Sequence, residues 1–195
     1  KDAEFLQKRR KEVAEPLYAL RDVSTTMTQM RPQQYGARVA VVPGVWARYS
    51  DAGHILGSAS VALEWEEGSL TRRLGFSGDV GRSGLAIIRD PEPLENVDWM
   101  VMESTYGDRV HEADDQGAHL SGIIKETVAR GGKVIIPAFA IGRSQELLYL
   151  FAKHFEAWGM ARWRIFLDSP MAIEASRIYW QHDERYDQAA LRLRA

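Results

Sequence analysis

The sequence predicts an α/β fold in which a β-meander gives way to alternating strands and helices. Three observations carry this expectation. Residues 38–76 are short runs of branched and aromatic side chains separated by turn signals. Residues 97–182 alternate short apolar runs with longer helical patterns, which implies a parallel sheet with crossover helices. Gly131-Gly132 and Ser169-Pro170 then punctuate that second half as a helix end and a helix start.

The elements follow in order. Residues 1–30 are charged and helical in pattern, with Val23, Thr26, Met27 and Met30 on one face, and Arg31-Pro32 closes the pattern. Residues 38–42 and 45–49 form a hairpin about Pro43-Gly44. Ala59, Val61, Leu63 and Trp65 alternate with other residues, Glu66-Glu67-Gly68-Ser69 makes the turn, and residues 70–76 return. Residues 97–103 read as a buried strand and 111–130 as a helix. Strands are then expected over 133–138 and 163–168, and helices over 143–158 and 170–182. The pattern changes near Glu103. That change divides the chain into residues 1–103, with a charged helical linker over 1–36, and residues 104–195.

Composition narrows the functional classes. The 25 basic and 27 acidic residues give a net charge of -2, which excludes a global basic field, so any nucleic acid must be held locally. With no cysteine there are no disulfides and no thiolate zinc sites, and any metal must be held by nitrogen and oxygen donors. No apolar run is long enough for a membrane span, and Lys1-Asp-Ala-Glu lacks the core of a signal peptide, which points to the cytoplasm.

Three side chains stand at strand ends beside glycines. His54, between Gly53 and Gly57, is either a metal ligand or a structural hydrogen-bonding residue. Asp79, in Ser77-Gly-Asp-Val-Gly81, is either a turn residue or a carboxylate able to bridge two cations about 3.5–4 Å apart. Glu103 ends the apolar run Trp99-Met-Val-Met102, where a carboxylate either orients a ligand or caps the next loop. Pro137-Ala-Phe-Ala-Ile-Gly-Arg143-Ser144 joins a strand to a helix, which suits a phosphate held by Arg143 and Ser144 and equally suits plain helix initiation with Ser144 as cap. Asp168-Ser169-Pro170 reads as a helix cap. Lys8-Arg-Arg-Lys11 reads as an exposed helix face, and His111, His119, His154 and His182 have no ligand spacing. A nucleophile elbow, a phosphate loop and a dinucleotide fingerprint are all absent.

In their order and surroundings these signals resemble the β-CASP branch of the metallo-β-lactamase superfamily, the RNA-processing nucleases. Asp51-Ala-Gly-His54-Ile-Leu-Gly-Ser-Ala resembles the family's third motif, and Phe76-Ser-Gly-Asp79 its fourth. Glu103-Ser-Thr-Tyr-Gly-Asp-Arg is similar to motif A at the start of the inserted β-CASP domain. Gly132-Lys-Val-Ile-Ile-Pro-Ala-Phe-Ala-Ile-Gly-Arg-Ser-Gln-Glu146 and Phe166-Leu-Asp-Ser-Pro-Met-Ala172 also resemble β-CASP segments. The resemblance implies part of a metallo-β-lactamase αββα sandwich followed by the start of a β-CASP α/β insertion. It implies a zinc-dependent ribonuclease whose two zinc ions activate a water against single-stranded RNA. His54 would bind one zinc, Asp79 would bridge both, and Glu103 would support the site. The family's His-x-His-x-Asp-His motif is not in this sequence and is expected before Lys1. On that reading the chain is an internal segment, inactive alone. The rival functions are a small-molecule hydrolase of the same superfamily and a non-catalytic RNA-binding scaffold.

Overall fold

In a computed structural model the described residues are 16–110 and 116–194. The chain divides into two compact units, Lys1–Gln34 and Tyr35–Ala195. The boundary expected at residues 103–104 therefore lies inside the second unit. Among the described residues no helix is long and apolar enough to cross a membrane.

The first unit contains helix α1, Leu20–Gln29. Asp22 holds its start, its carboxylate accepting the Ala19 amide at 2.7 Å. Ser24, Thr25 and Thr26 each donate a hydroxyl to the carbonyl four residues back, and no residue of the helix is buried. The helix expected over residues 1–30 thus begins at Leu20 as far as it is described. Residues 1–15, with Lys8-Arg-Arg-Lys11, and the helix start expected at His111 lie outside the described residues.

The second unit opens with a meander: β1 (Arg38–Val42), β2 (Val45–Asp51), β3 (Ala59–Glu67) and β4 (Leu70–Phe76), joined antiparallel in that order. The β3–β4 turn is tight, with Glu67 facing Leu70 and Gly68 at φ +64° supplying the left-handed residue. Glu64, near the middle of β3, receives Arg38 from β1 at 2.7 Å and Arg73 from β4 at 2.9 Å, so one carboxylate ties three strands. Strand β5 (Trp99–Val101) adds parallel to β4, and Trp99 stacks on Trp65 with ring centroids 6.1 Å apart.

That strand is shorter than the expected 97–103 because side chains take over its ladder at both ends. The Asp98 carboxylate accepts the Arg73 amide at 2.7 Å, and the Ser77 hydroxyl oxygen accepts the Glu103 amide at 3.0 Å.

The helical part comprises α2 (Gln116–Ala129), α3 (Arg143–Lys153), α4 (Phe155–Trp158), α5 (Pro170–Gln181) and α6 (Gln188–Arg194), with 3-10 turns at Met160–Arg162 and Asp183–Arg185. Ser169 caps α5, its hydroxyl oxygen accepting the Ala172 amide at 3.2 Å, with Pro170 in the first turn. The expected single helix over 143–158 breaks at His154, whose ring stacks on Trp158. The strands expected over 133–138 and 163–168 are a correction: both segments belong to no strand. Their apolar residues reported a tendency to burial, whereas a strand also needs a hydrogen-bonded neighbour. Instead they flank a cavity of about 540 Å³, and Ile135 and Phe166 stand 87% and 82% exposed.

The segment after β4 and the helical part share one core cluster: Ile87, Ile88, Tyr179, Tyr186 and Ala190. Ile88 pairs with Tyr186 in an antiparallel bridge, and the Asp187 amide donates to the Ile87 carbonyl at 2.7 Å. Ile87 is held there at φ +82°, a left-handed conformation that a β-branched residue adopts only under tertiary constraint.

Candidate functional site

A cavity of about 630 Å³ lies where the β2–β3 loop, the segment after β4, the segment after β5 and the start of α3 meet. His54, Asp79, Glu103 and Arg143 all line it, drawn from four separate places in the sequence.

The His54 loop is built by its own polar side chains. Asp51 Oδ1 accepts the Gly53 amide at 2.9 Å, and the Ser58 hydroxyl oxygen accepts the amides of His54 at 3.1 Å and Ile55 at 3.3 Å. The Asp79 segment is docked on it through backbone: the Gly81 amide donates to the Ala52 carbonyl at 2.8 Å. A Cβ at Gly81 would overlap the Gly53 carbonyl oxygen, so only glycine permits this approach of the two loops.

Glu103 is fixed by both carboxylate oxygens. Oε1 accepts the Val80 amide at 2.7 Å and Oε2 accepts the Thr105 hydroxyl at 2.6 Å. The Thr105 hydroxyl, then the Val80 amide, hold its pKa below the usual carboxylate value, so it is charged at neutral pH. It is an anchored anion against the backbone next to Asp79.

Arg143 opens α3 and reaches Glu146 at 2.8 Å, with more than half of its own side chain exposed and that of Glu146 largely covered. Ser144 is placed elsewhere. It is buried, donates its hydroxyl to the Phe139 carbonyl at 2.7 Å and lines the other cavity, so it is not in the lining shared by His54 and Asp79. Nor does it cap α3: Gly142 occupies the cap position and its amide donates to Gln145 Oε1 at 2.8 Å.

An imidazole and carboxylates are donors that zinc accepts, so His54 and Asp79 fit a metal in kind. In number they fall short. A catalytic zinc takes three protein ligands, and among the described residues no three His, Asp or Glu side chains come close enough together to hold an ion.

Residues 144–194 match the Beta-Casp domain, a span that includes the lining residues Glu146 of α3 and Tyr179 of α5. Over residues 144–194 the chain is similar to the β-CASP family. The chain is 34% identical to "Ribonuclease TTHA0252" of Thermus thermophilus over 166 residues, 85% of its own length and 37% of that protein's. It is 30% identical over 186 residues to "Transcription termination factor FttA" of Methanocaldococcus jannaschii, covering 93% of the chain and 28% of the relative. An "RNase J-like protein" of the same archaeon is 29% identical over 170 residues, 85% of the chain and 39% of the relative. The chain therefore spans well under half the length of these relatives. The family implies metal ions as cofactors.

Two lining residues escaped sequence reasoning. Glu146 was signalled by the three-residue spacing from Arg143, which on a helix makes an ion pair. Tyr179, buried on α5, carried no local signal, because its partner is 123 residues away.

Proposed function

We propose that this chain contributes the catalytic cavity of a metal-dependent ribonuclease that hydrolyses phosphodiester bonds in single-stranded RNA in the cytoplasm. The observation that carries the reading is the meeting of His54, Asp79 and Glu103, with Arg143, around one cavity in a chain similar to the β-CASP family. Residues 1–103 are read as part of a metallo-β-lactamase domain and 104–195 as part of the β-CASP insertion.

Zinc is the proposed metal, two ions per complete site, with His54 and Asp79 as part of the ligand set and the remaining donors outside the described residues. On that ground the chain alone does not cleave RNA. What its own residues do is definite in chemical terms. Glu103 restrains the Val80 amide and with it the position of Asp79. Arg143 offers a guanidinium to a phosphate at the cavity mouth, in competition with Glu146.

The test is RNA cleavage by the longest natural protein that contains this sequence, with His54→Ala and Asp79→Ala variants and metal analysis. Loss of cleavage by at least about 10³-fold in both, with about two zinc ions per parent chain, is expected. Asp79→Ala cleaving at the parental rate overturns the assignment. RNA binding without cleavage in the parent, and without bound metal, would instead make the protein a scaffold.

A further inference from the structure

The amides of the His54 loop can be accounted for one at a time. Gly53 donates to Asp51, and His54 and Ile55 donate to Ser58, all within the loop. Leu56 does not. Its amide donates to the hydroxyl oxygen of Tyr179 at 3.1 Å, across 123 residues, from the meander to helix α5.

Tyr179 is built to be immobile. It is 6% exposed and packs in the cluster with Ile87, Ile88, Tyr186 and Ala190, against which Leu56 also rests. Its own carbonyl, near the end of α5, accepts the Tyr186 hydroxyl at 2.8 Å, which ties down the last turn of the helix. A second element of the helical part presses on the same loop: a Cβ at Gly142 would lie 3.0 Å from Ile55 Cγ2. If Tyr179 served only to fill the cluster, phenylalanine would serve as well, since the hydroxyl adds only a polar contact. That contact is spent on the residue two positions after His54.

We infer that Tyr179 is a positioning residue for His54: its hydroxyl fixes the 53–58 loop, so that the helical part of the chain sets where the imidazole stands. The residue touches no reacting atom in this role. Its consequence for catalysis rests on the ribonuclease reading above, whereas its effect on the loop does not.

The decisive comparison is Tyr179→Phe against Tyr186→Phe in the full chain. Both delete one hydroxyl from the same cluster, and only the first should release the loop. Amide hydrogen exchange should accelerate about tenfold at Leu56 in Tyr179→Phe, the scale of one lost hydrogen bond to a buried group. The His54 ring resonances should move with it, and both should change much less in Tyr186→Phe, which keeps the bond from Leu56 to Tyr179. Parental exchange at Leu56 and unmoved His54 resonances in Tyr179→Phe overturn the proposal. So does an equal change in both variants, which would report general loosening of the cluster. If the loop is released as expected and the longer natural protein still shows no RNA cleavage, the ribonuclease reading fails while the positioning role stands.

Discussion

The carboxylate of Glu103 accepts the backbone amide of Val80 at 2.7 Å, one residue beyond Asp79. A residue two positions beyond the parallel strand β5 thereby fixes the chain that leaves β4. Sequence gives the two residues no common motif, and the sheet makes them neighbours.

Removing that anchor should disturb Asp79 without touching it. Glu103→Ala is expected to lower RNA cleavage or metal affinity of the longer natural protein by about 10–100-fold, the usual effect of losing an outer support of a ligand. Glu103→Gln keeps an acceptor for the Val80 amide and should lose less. Equal loss in the two variants would place the effect in the charge alone.

Glycine at position 81 is a geometric requirement. Gly81→Ala forces its new methyl into the Gly53 carbonyl and should destabilise the protein by on the order of 3 kcal/mol in urea unfolding. Gly57, also left-handed at φ +86° but with open space around it, should cost only about 1–2 kcal/mol as alanine. A smaller loss at position 81 than at 57 contradicts the close packing of the two loops.

Glu64 gives the fold an acid limit. Its hydrogen bond with Arg73, and then the bond with Arg38, hold its pKa below the usual carboxylate value in the folded chain. A depressed folded pKa means that the contribution is fully present above the unfolded carboxylate value and is lost as pH falls through the folded one. Glu64→Gln should therefore lower stability by about 0.5–1 kcal/mol at neutral pH and leave it unchanged at a pH below both values. Denaturation at the two pH values checks it.

Arg143 and Glu146 should act in opposite senses on polyanion binding. Arg143→Ala is expected to weaken RNA binding and to reduce the slope of log affinity against log salt by about 1. Glu146→Ala frees the guanidinium and should tighten binding. An unchanged salt slope in Arg143→Ala removes the residue from the phosphate path.

The Ser169 cap is independent of any site chemistry. Ser169→Ala should cost about 1 kcal/mol through the start of α5, read as a shift of the urea midpoint with an unchanged slope.

The meander was legible because its hairpins are local: the turn residues and the alternation of Ala59, Val61, Leu63 and Trp65 lie within a few residues of their effect. The Ser169-Pro170 helix start was legible for the same reason. His54 and Asp79 stood out as ligating side chains beside glycines, Glu103 as a carboxylate ending an apolar run, and the structure puts all three on one cavity. What did not show was set at long range. The pairing state of residues 133–138 depends on a neighbour that their own sequence cannot specify. The shortening of β5 depends on Asp98 and Ser77 competing for backbone amides of other segments. Ser144 looked available for a phosphate, and the fold folds its hydroxyl back onto Phe139.

The bridge between Ile88 and Tyr186 also sets a timetable. A ribosome delivers the His54 loop long before the helix that holds it, since Leu56 and Tyr179 are 123 residues apart. At about 5–20 residues per second, that interval is on the order of ten seconds. Throughout it the meander can pair while Ile87 and Ile88 wait uncovered, so the nascent chain offers a sticky apolar face to chaperones or to other nascent chains until α5 and the segment behind it emerge.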